Sequence, residues 1–523
     1  MPVIPAAIPL IDRFTDIADQ APRQVAFVVA DPDGSERSRT FGEIRAEYGE
    51  FTARLAAAGV ADGDVVVLAI ENHIVYYSLV FAAWHAGAAV LPISPYLDRS
   101  DQDALLDVVA TRLGRPVLVD TVAHARHDTV VVDATGGFDV VPAAAAASTG
   151  QRRGPVDADR THLYMTSGGA TGLPKVMRFK LSWAGKRDMP YRSAGLADPS
   201  GRSSGTATRL ICGSLYHTGN FAPSTHVMLT GSAVITMSDF DPGLVCTLLR
   251  RHEVFSMGIT PGHMMSVLAT PDLDRAAFDR LTRVSHGAAP CPGWVKRGWI
   301  DLVGPKRLFE VYYSSELSGA GRPMVVDGEQ WLRKPGTVGK ATDVRILDAD
   351  GRDVPVGEIG EIFVRLDYGA ANSYVGDREL RRAPDDPAYV SVADLGWLDE
   401  DGYLFLADRM SETIDIGSVT VYPSRVEEVI GDDPEVADVA VVGLWTEDGR
   451  PYLHALVQPV PGAGLSPTAV RQLCRAALTE AEVPETVQFT AVLPRTAEGK
   501  MRRSVLRDMT SRDGASRDLT GQA

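Results

Sequence analysis

The segment TSGGATGLPK at 166–175 gathers hydroxyls, glycines and a lysine directly after the apolar run Leu163, Tyr164, Met165. Such a loop suits an anion. Gly168, Gly169 and Gly172 let backbone N–H groups come close to a phosphate, while Thr166, Ser167 and Thr171 add hydroxyls, Ala170 stays small and Lys175 adds a point charge. Leu173 and Pro174 stand between Gly172 and Lys175, so the Gly-Lys-Ser/Thr ending of nucleotide-hydrolase phosphate loops is absent. Far downstream, PRTAEGKMRR at 494–503 carries a second isolated lysine, Lys500. By itself it reads as an exposed basic turn.

Elements able to position these groups follow from periodicity. The run GEIRAEYGEFTARLAAAG has helical spacing and GDVVVLAI is a short β-rich run, a rhythm kept from Leu10 to about Val140. The apolar stretch Tyr76 to Ile93 reads as a buried helix turning at Gly87 into a strand. Similar units span Arg209 to Val311, and from Gly336 to Leu406 the texture is β-rich and turn-rich. The last hundred or so residues, with a helix at 466–480 and a final strand VQFTAVL, suggest a small α+β domain.

At 523 residues the chain is too long for one ordinary core. Lys and Arg total 52 against 68 Asp and Glu, for a net charge of -16, which argues against nucleic acid or an anionic membrane as the main partner. Cys212, Cys246, Cys291 and Cys474 show no zinc or dithiol spacing, and the N-terminal run has no basic leader, so a reducing cytoplasm is expected.

Together the two lysine segments resemble the phosphate loop and C-terminal motif of the adenylate-forming superfamily, which includes acyl-CoA synthetases, aryl-acid ligases and peptide-synthetase adenylation domains. Four further segments match in family order: Gly287, Ala288, Ala289 and Pro290, which the resemblance places along adenine; Tyr312 to Glu316, with Tyr312 and Ser315 near the nucleotide and Glu316 on Mg²⁺; Asp394 on the ribose hydroxyls; and Arg409 near ribose or phosphate. The resemblance implies a multidomain α/β and α+β fold: a large N-terminal AMP-binding domain (1–408) with layered α/β subdomains and a β-rich subdomain, a hinge (409–412) centred on Ser411, and a small mobile α+β C-terminal domain (413–510). Residues 511–523 read as a frayed tail.

The implied chemistry is attack of an ionised carboxylate on the α-phosphorus of ATP, with Lys500 among the charges that stabilise the transition state. The resemblance puts the acid among Tyr216, His217, Asn220, Phe221, Met257, Gly258, Ile259, Ser285, His286 and Tyr313, with His217 beside the carboxylate. This set is aromatic and polar but uncharged. His217 stands where amino-acid-activating relatives have an aspartate, which disfavours an α-amino acid; Tyr313 replaces a glycine and should shorten the pocket, favouring a small or flat acid. Ser418 and Thr420 depart from the family's Gly and Asn near the pantetheine tunnel, and Ser411 from its hinge Asp or Lys.

The expected reaction is therefore ATP- and Mg²⁺-dependent activation of a small aromatic acid and its transfer to CoA, with His217, Glu316 and Lys500 as catalytic groups. Alternatives are a carrier-protein or amine acceptor, a diazotase that activates nitrite for an aryl amine, and a non-catalytic nucleotide-binding relative. The residues leave the oligomeric state open.

Overall fold

The computed structural model describes residues 10–122, 129–133, 137–141, 163–167, 175–179, 208–317, 323–366, 373–376, 379–496, 499–503 and 505–506. The chain divides into two compact units. The first comprises Met1–Ala288, Arg307–Val325 and Leu366–Arg381; the second comprises Ala289–Lys306, Val326–Arg365 and Arg382–Ala523. The expected frayed tail (511–523) and glycine-rich turn (168–174) lie outside the described residues.

In the first unit, parallel strands run in the order Val25–Ala30, Val234–Met237, Thr208–Ile211, Val254–Ile259, Arg283–Gly287, Leu308–Tyr312, with Glu36–Thr40 added antiparallel at the Val25–Ala30 edge. A second sheet of eight strands is mostly parallel around Val65–Leu68, Ala89–Pro92 and Pro116–Asp120, and ends in the antiparallel strands Lys175–Phe179 and Ser373–Tyr374. The central strands are apolar almost throughout, as expected of parallel strands covered on both faces.

Helices fill the layer between these sheets. Phe41–Ala57 starts at a capping box, Thr40 with Glu43, and buries Phe41, Ile44, Tyr48, Phe51 and Leu55 along one stripe. Tyr76–His85 is apolar all round and almost wholly buried, then Gly87 at φ 79° turns the chain into Ala89–Pro92. This is the helix-to-strand turn expected from the sequence. One core joins both sheets, with Phe14, Phe27, Tyr77, Phe81 and Phe221 at its centre.

The second unit contains a five-stranded antiparallel sheet, in the order Thr337–Lys340, Tyr403–Arg409, Tyr389–Leu398, Gly360–Arg365, Val344–Leu347. It is the β-rich texture expected between 336 and 406. After it come the hairpin Ile414–Ile416/Val419–Val421 and a sheet of Val436–Trp445, Pro451–Pro459 and Thr486–Phe489. The helices Pro423–Gly431 and Pro467–Ala477 share an apolar core with that sheet, including Val426, Ile430, Val441, Val470 and Cys474. The expected helix at 466–480 is capped by Ser466 and stops at Ala477, where Thr479 caps a separate short turn. The expected strand VQFTAVL pairs only as far as Phe489, because the Thr490 hydroxyl turns back to the Val492 carbonyl.

Candidate active site

Strands Leu163–Ser167 and Lys175–Phe179 pair antiparallel, with Ser167 opposite Lys175. The ends of the glycine-rich segment are thereby held across one ladder, and Lys175 is exposed at its mouth. On the far side of the same strand, Ser373–Tyr374 adds to the sheet edge, placing Tyr374 opposite Met177. The Tyr374 hydroxyl donates to Glu316 Oε1 at 2.5 Å. Glu316 sits in the short turn Ser315–Leu317 that follows strand Leu308–Tyr312. Lys175 and Glu316, far apart in the chain, are thus tied into one framework by a tyrosine that the sequence reading missed.

The predicted adenine-lining segment begins at the C-terminal edge of the parallel sheet, the usual ligand side of such folds. Gly287 pairs with Val311, and a Cβ at 287 would lie 2.4 Å from the Val311 carbonyl oxygen, so only glycine allows these strands their spacing. Ala288 follows at φ 70°, a left-handed conformation that alanine adopts only under constraint. Tyr312 directly follows Val311 on the adjacent strand. Ala289 and Pro290 continue into the second unit.

His217 is the N-cap of helix Thr218–Leu229, half-buried, with its ring 4.6 Å from that of Tyr216. Asn72 braces the approach to it: its side-chain amide donates to Gly213 O, Thr236 Oγ1 and Met237 O, while its oxygen accepts from Leu215 N–H at 2.8 Å. Asn220 donates to Ser214 O at 3.1 Å. Phe221 lies in the core against Tyr76 and Tyr77. Asn72→Leu should lower stability by about 2–4 kcal/mol in urea unfolding, because the buried groups it satisfies lose their partner.

The strand residues expected around the acid separate by alternation. Gly258 and Ser285 are register partners on one face; Met257, Ile259 and His286 belong to the opposite one. Tyr313 does not stand as a free plug, since its hydroxyl donates to the Leu317 carbonyl and fixes the ring along the Ser315–Leu317 turn. Beside this set lies a charge that the sequence reading did not include, Arg209, which is 3% exposed. From strand Thr208–Ile211 it donates to Ser256 Oγ at 3.1 Å and to Ser285 Oγ at 2.9 Å. Burial lowers its pKa to about 10. A cation inside the apolar strand TRLI was the available signal.

Within the second unit, Asp394 and Arg409 are register partners on neighbouring strands, with Nε to Oδ1 at 3.4 Å. The Asp394 side chain is 13% exposed and Arg409 is open to solvent at 59%. Ala393, at φ 58°, adds a second strained residue beside a predicted nucleotide contact. Ser411 lies in the turn after Arg409, where the Glu412 amide donates to the Arg409 carbonyl.

Lys500 closes a tight turn: Thr496 N–H donates to Lys500 O at 2.8 Å and Gly499 takes φ 73°. Arg495 anchors the turn through a two-pronged pair with Asp438. Arg503, three residues on, is mostly buried, with its side chain 14% exposed; it donates to both Glu427 oxygens and to Val441 O and lies 3.3 Å from Glu412. The predicted hinge and the Lys500 turn are therefore linked through one guanidinium, a further link absent from the sequence reading. Burial is the largest single influence on the Arg503 pKa and would lower it, but the Glu427 charge and hydrogen bond together with the Asp408 and Glu412 charges outweigh burial and raise it.

The chain belongs to the AMP-binding enzyme family: residues 14–375 match the family's AMP-binding enzyme domain and residues 425–500 its C-terminal domain. It is 29% identical over 482 residues to a feruloyl-CoA synthase of Amycolatopsis sp, covering 90% of this chain and 93% of that one. It is 25% identical over 491 residues to the fatty acid–[acyl-carrier-protein] ligase ScoC of Streptomyces coeruleorubidus, covering 92% and 93%. The fold is similar to that of O-succinylbenzoate coenzyme A synthetase from Bacillus subtilis in complex with AMP, with a TM-score of 0.75 at 22% identity over 95% of this chain and 98% of that one. The expected fold class and the resemblance to adenylate-forming enzymes both hold. Among the described residues, no helix is long and apolar enough to cross a membrane.

Among the described residues, no group of three or more His, Cys, Asp or Glu could enclose a metal ion. Mg²⁺ asks for less, since it is commonly held by one or two carboxylates together with substrate phosphates. Glu316 fits that role: Tyr374 occupies Oε1 and orients the carboxylate, with Oε2 as the remaining oxygen. Tyr374→Phe should lower activity at limiting Mg²⁺ by about 10- to 100-fold, the usual cost of losing an orienting partner. Titrating pyrophosphate release against Mg²⁺ checks this, and saturating Mg²⁺ should restore part of the rate.

Proposed function

We propose that the protein is an ATP-dependent acid–CoA ligase that activates a small, aromatic carboxylic acid as its acyl-adenylate, releases pyrophosphate and passes the acyl group to CoA. The observation that carries the reading is the Lys175 strand, Tyr374 and Glu316 framework, which joins a phosphate-loop flank to a carboxylate suited to Mg²⁺. The family match and the similarity to a feruloyl-CoA synthase support it.

The acid's carboxylate oxygen forms a bond to the α-phosphorus as the bond to pyrophosphate breaks, and the leaving pyrophosphate takes the electron pair. No general base is needed, because the acid is ionised at neutral pH. Bound Mg²⁺ supplies Lewis-acid neutralisation of the phosphates. The backbone of the glycine-rich segment and Lys175 hold the phosphate tail, Asp394 and Arg409 hold the ribose, and Lys500 stabilises charge at the α-phosphate. His217 orients the carboxylate. In the second step the CoA sulfur attacks the acyl carbon, forming the thioester as AMP leaves. Residues 409–412 act as the hinge between these steps, with 1–408 and 413–510 as the two functional domains.

Direct detection of acyl-CoA, with AMP and pyrophosphate formed in equal amounts, tests the assignment. A second reading, a carrier-protein acceptor, is favoured by the hairpin beside the predicted CoA route. There Thr420 bonds Asp415 at 2.8 Å, and ScoC is similar over almost the same length. Rapid acyl-adenylate formation with no CoA consumed would select it.

A further inference from the structure

Arg209 has a setting that the reaction just described does not use. Its guanidinium is buried in the first unit, and its hydrogen-bond partners are two neutral hydroxyls, Ser256 and Ser285. The Ser285 hydroxyl donates onward to Met257 O, so it is committed to accepting from the arginine. Nε has no hydrogen-bond partner among the described residues.

Among the described residues, no anion offsets this charge. Arg283 nearby carries the same sign and is drawn over the Phe309 ring, 4.1 Å from its centroid. Cys212 is a thiol whose pKa burial pushes up to about 12, and His226, on the facing helix, is pushed down to about 4 by burial and then by Arg209 itself. Both stay neutral at physiological pH, whereas an arginine cannot shed its charge there. A buried cation without a counter-charge is an uncommon arrangement unless a ligand completes it.

The site is also shaped around this group. A Cβ at Gly258 would come within 2.9 Å of Arg209 Nη2 and 3.5 Å of Ile211 Cδ1, so glycine at 258 leaves room for the guanidinium. Gly258 and Ser285 are two of the residues expected to surround the acid. The cation therefore lies against residues of the set expected to surround the acid.

We propose that Arg209, with Ser256 and Ser285, forms a subsite for a second anionic group on the substrate, so that the enzyme selects acids carrying a distal carboxylate. This inference rests on the ligase reading above. The planar guanidinium offers paired donors that match carboxylate geometry, and excluding water strengthens that match. Acids ending in a neutral group leave the cation uncompensated and bind poorly.

The test uses the full chain with ATP and Mg²⁺, and reads kcat/KM for pyrophosphate release on matched pairs: benzoate against benzene-1,3- and benzene-1,4-dicarboxylate, and hexanoate against adipate. The wild type should favour a dicarboxylate over its matched monocarboxylate by roughly 100-fold or more. Arg209→Met should erase that ratio, mainly through KM for the dicarboxylate, while KM for ATP stays constant. Arg209→Lys should retain part of the preference. Should Arg209→Met fail to fold, the wild-type ratio and Arg209→Lys still decide the matter. Equal use of both members of every pair, or an unchanged ratio in Arg209→Met, overturns the subsite and leaves the ligase reading intact. Absence of release with every acid overturns the ligase reading, and this inference with it.

Discussion

Lys500→Ala is expected to lower acid-dependent pyrophosphate release by roughly 100- to 1,000-fold, the usual cost of removing one donor aimed at developing charge. The fold should survive, because the turn that carries Lys500 is closed through its backbone. Lys500 O accepts from Thr496 N–H, Lys500 N–H donates to Thr496 Oγ1 and Gly499 supplies the left-handed residue. Chemical unfolding of the variant should match the wild type within about 0.5 kcal/mol. Undiminished release would remove Lys500 from the reaction.

Arg503→Met should act in the opposite way, through stability first. Arg503 stands among Glu412, Glu427 and Asp408, and breaking a buried pair by removing one partner typically costs about 3–5 kcal/mol. The carboxylates left behind keep their burial and lose their counter-charge. Asp408 already has its pKa raised by burial, so its protonated form favours the folded state. Its contribution to stability is fullest below the ordinary carboxylate range and is lost as pH climbs through the raised value. Without Arg503 that loss should grow, so urea unfolding should show a larger deficit for the variant at pH 8 than at pH 5. A deficit below about 1 kcal/mol would mean that the guanidinium contributes little beyond what solvent could supply.

The sequence singled out as candidates the residues whose chemistry dictates their type: the glycines and Lys175 of the loop, Glu316, Asp394, Arg409 and Lys500. Their order along the chain carries information even when each alone would pass for a surface group. The packed helix-to-strand turn at Gly87 was legible too, because an apolar stretch broken by glycine has few ways to fold. Contacts made across the fold were not. Tyr374 reaches Glu316 only because a short strand adds to an edge at Met177, and no local pattern signals that pairing. The acid-site residues were read as one set, yet strand alternation separates Gly258 and Ser285 from Met257, Ile259 and His286. Arg209 and Arg503 were missed for a shared reason: sequence marks a charge, and only packing shows it to be buried.

Acid-dependent adenylation is tested most directly by a nucleotide balance on the purified protein with ATP, Mg²⁺ and a panel of carboxylic acids, with and without CoA. AMP and pyrophosphate are expected in equal amounts, formed only when an acid is present, with acyl-CoA accumulating once CoA is added. ADP and phosphate as products, or AMP that ignores every carboxylic acid and appears only with nitrite and an aryl amine, would contradict it.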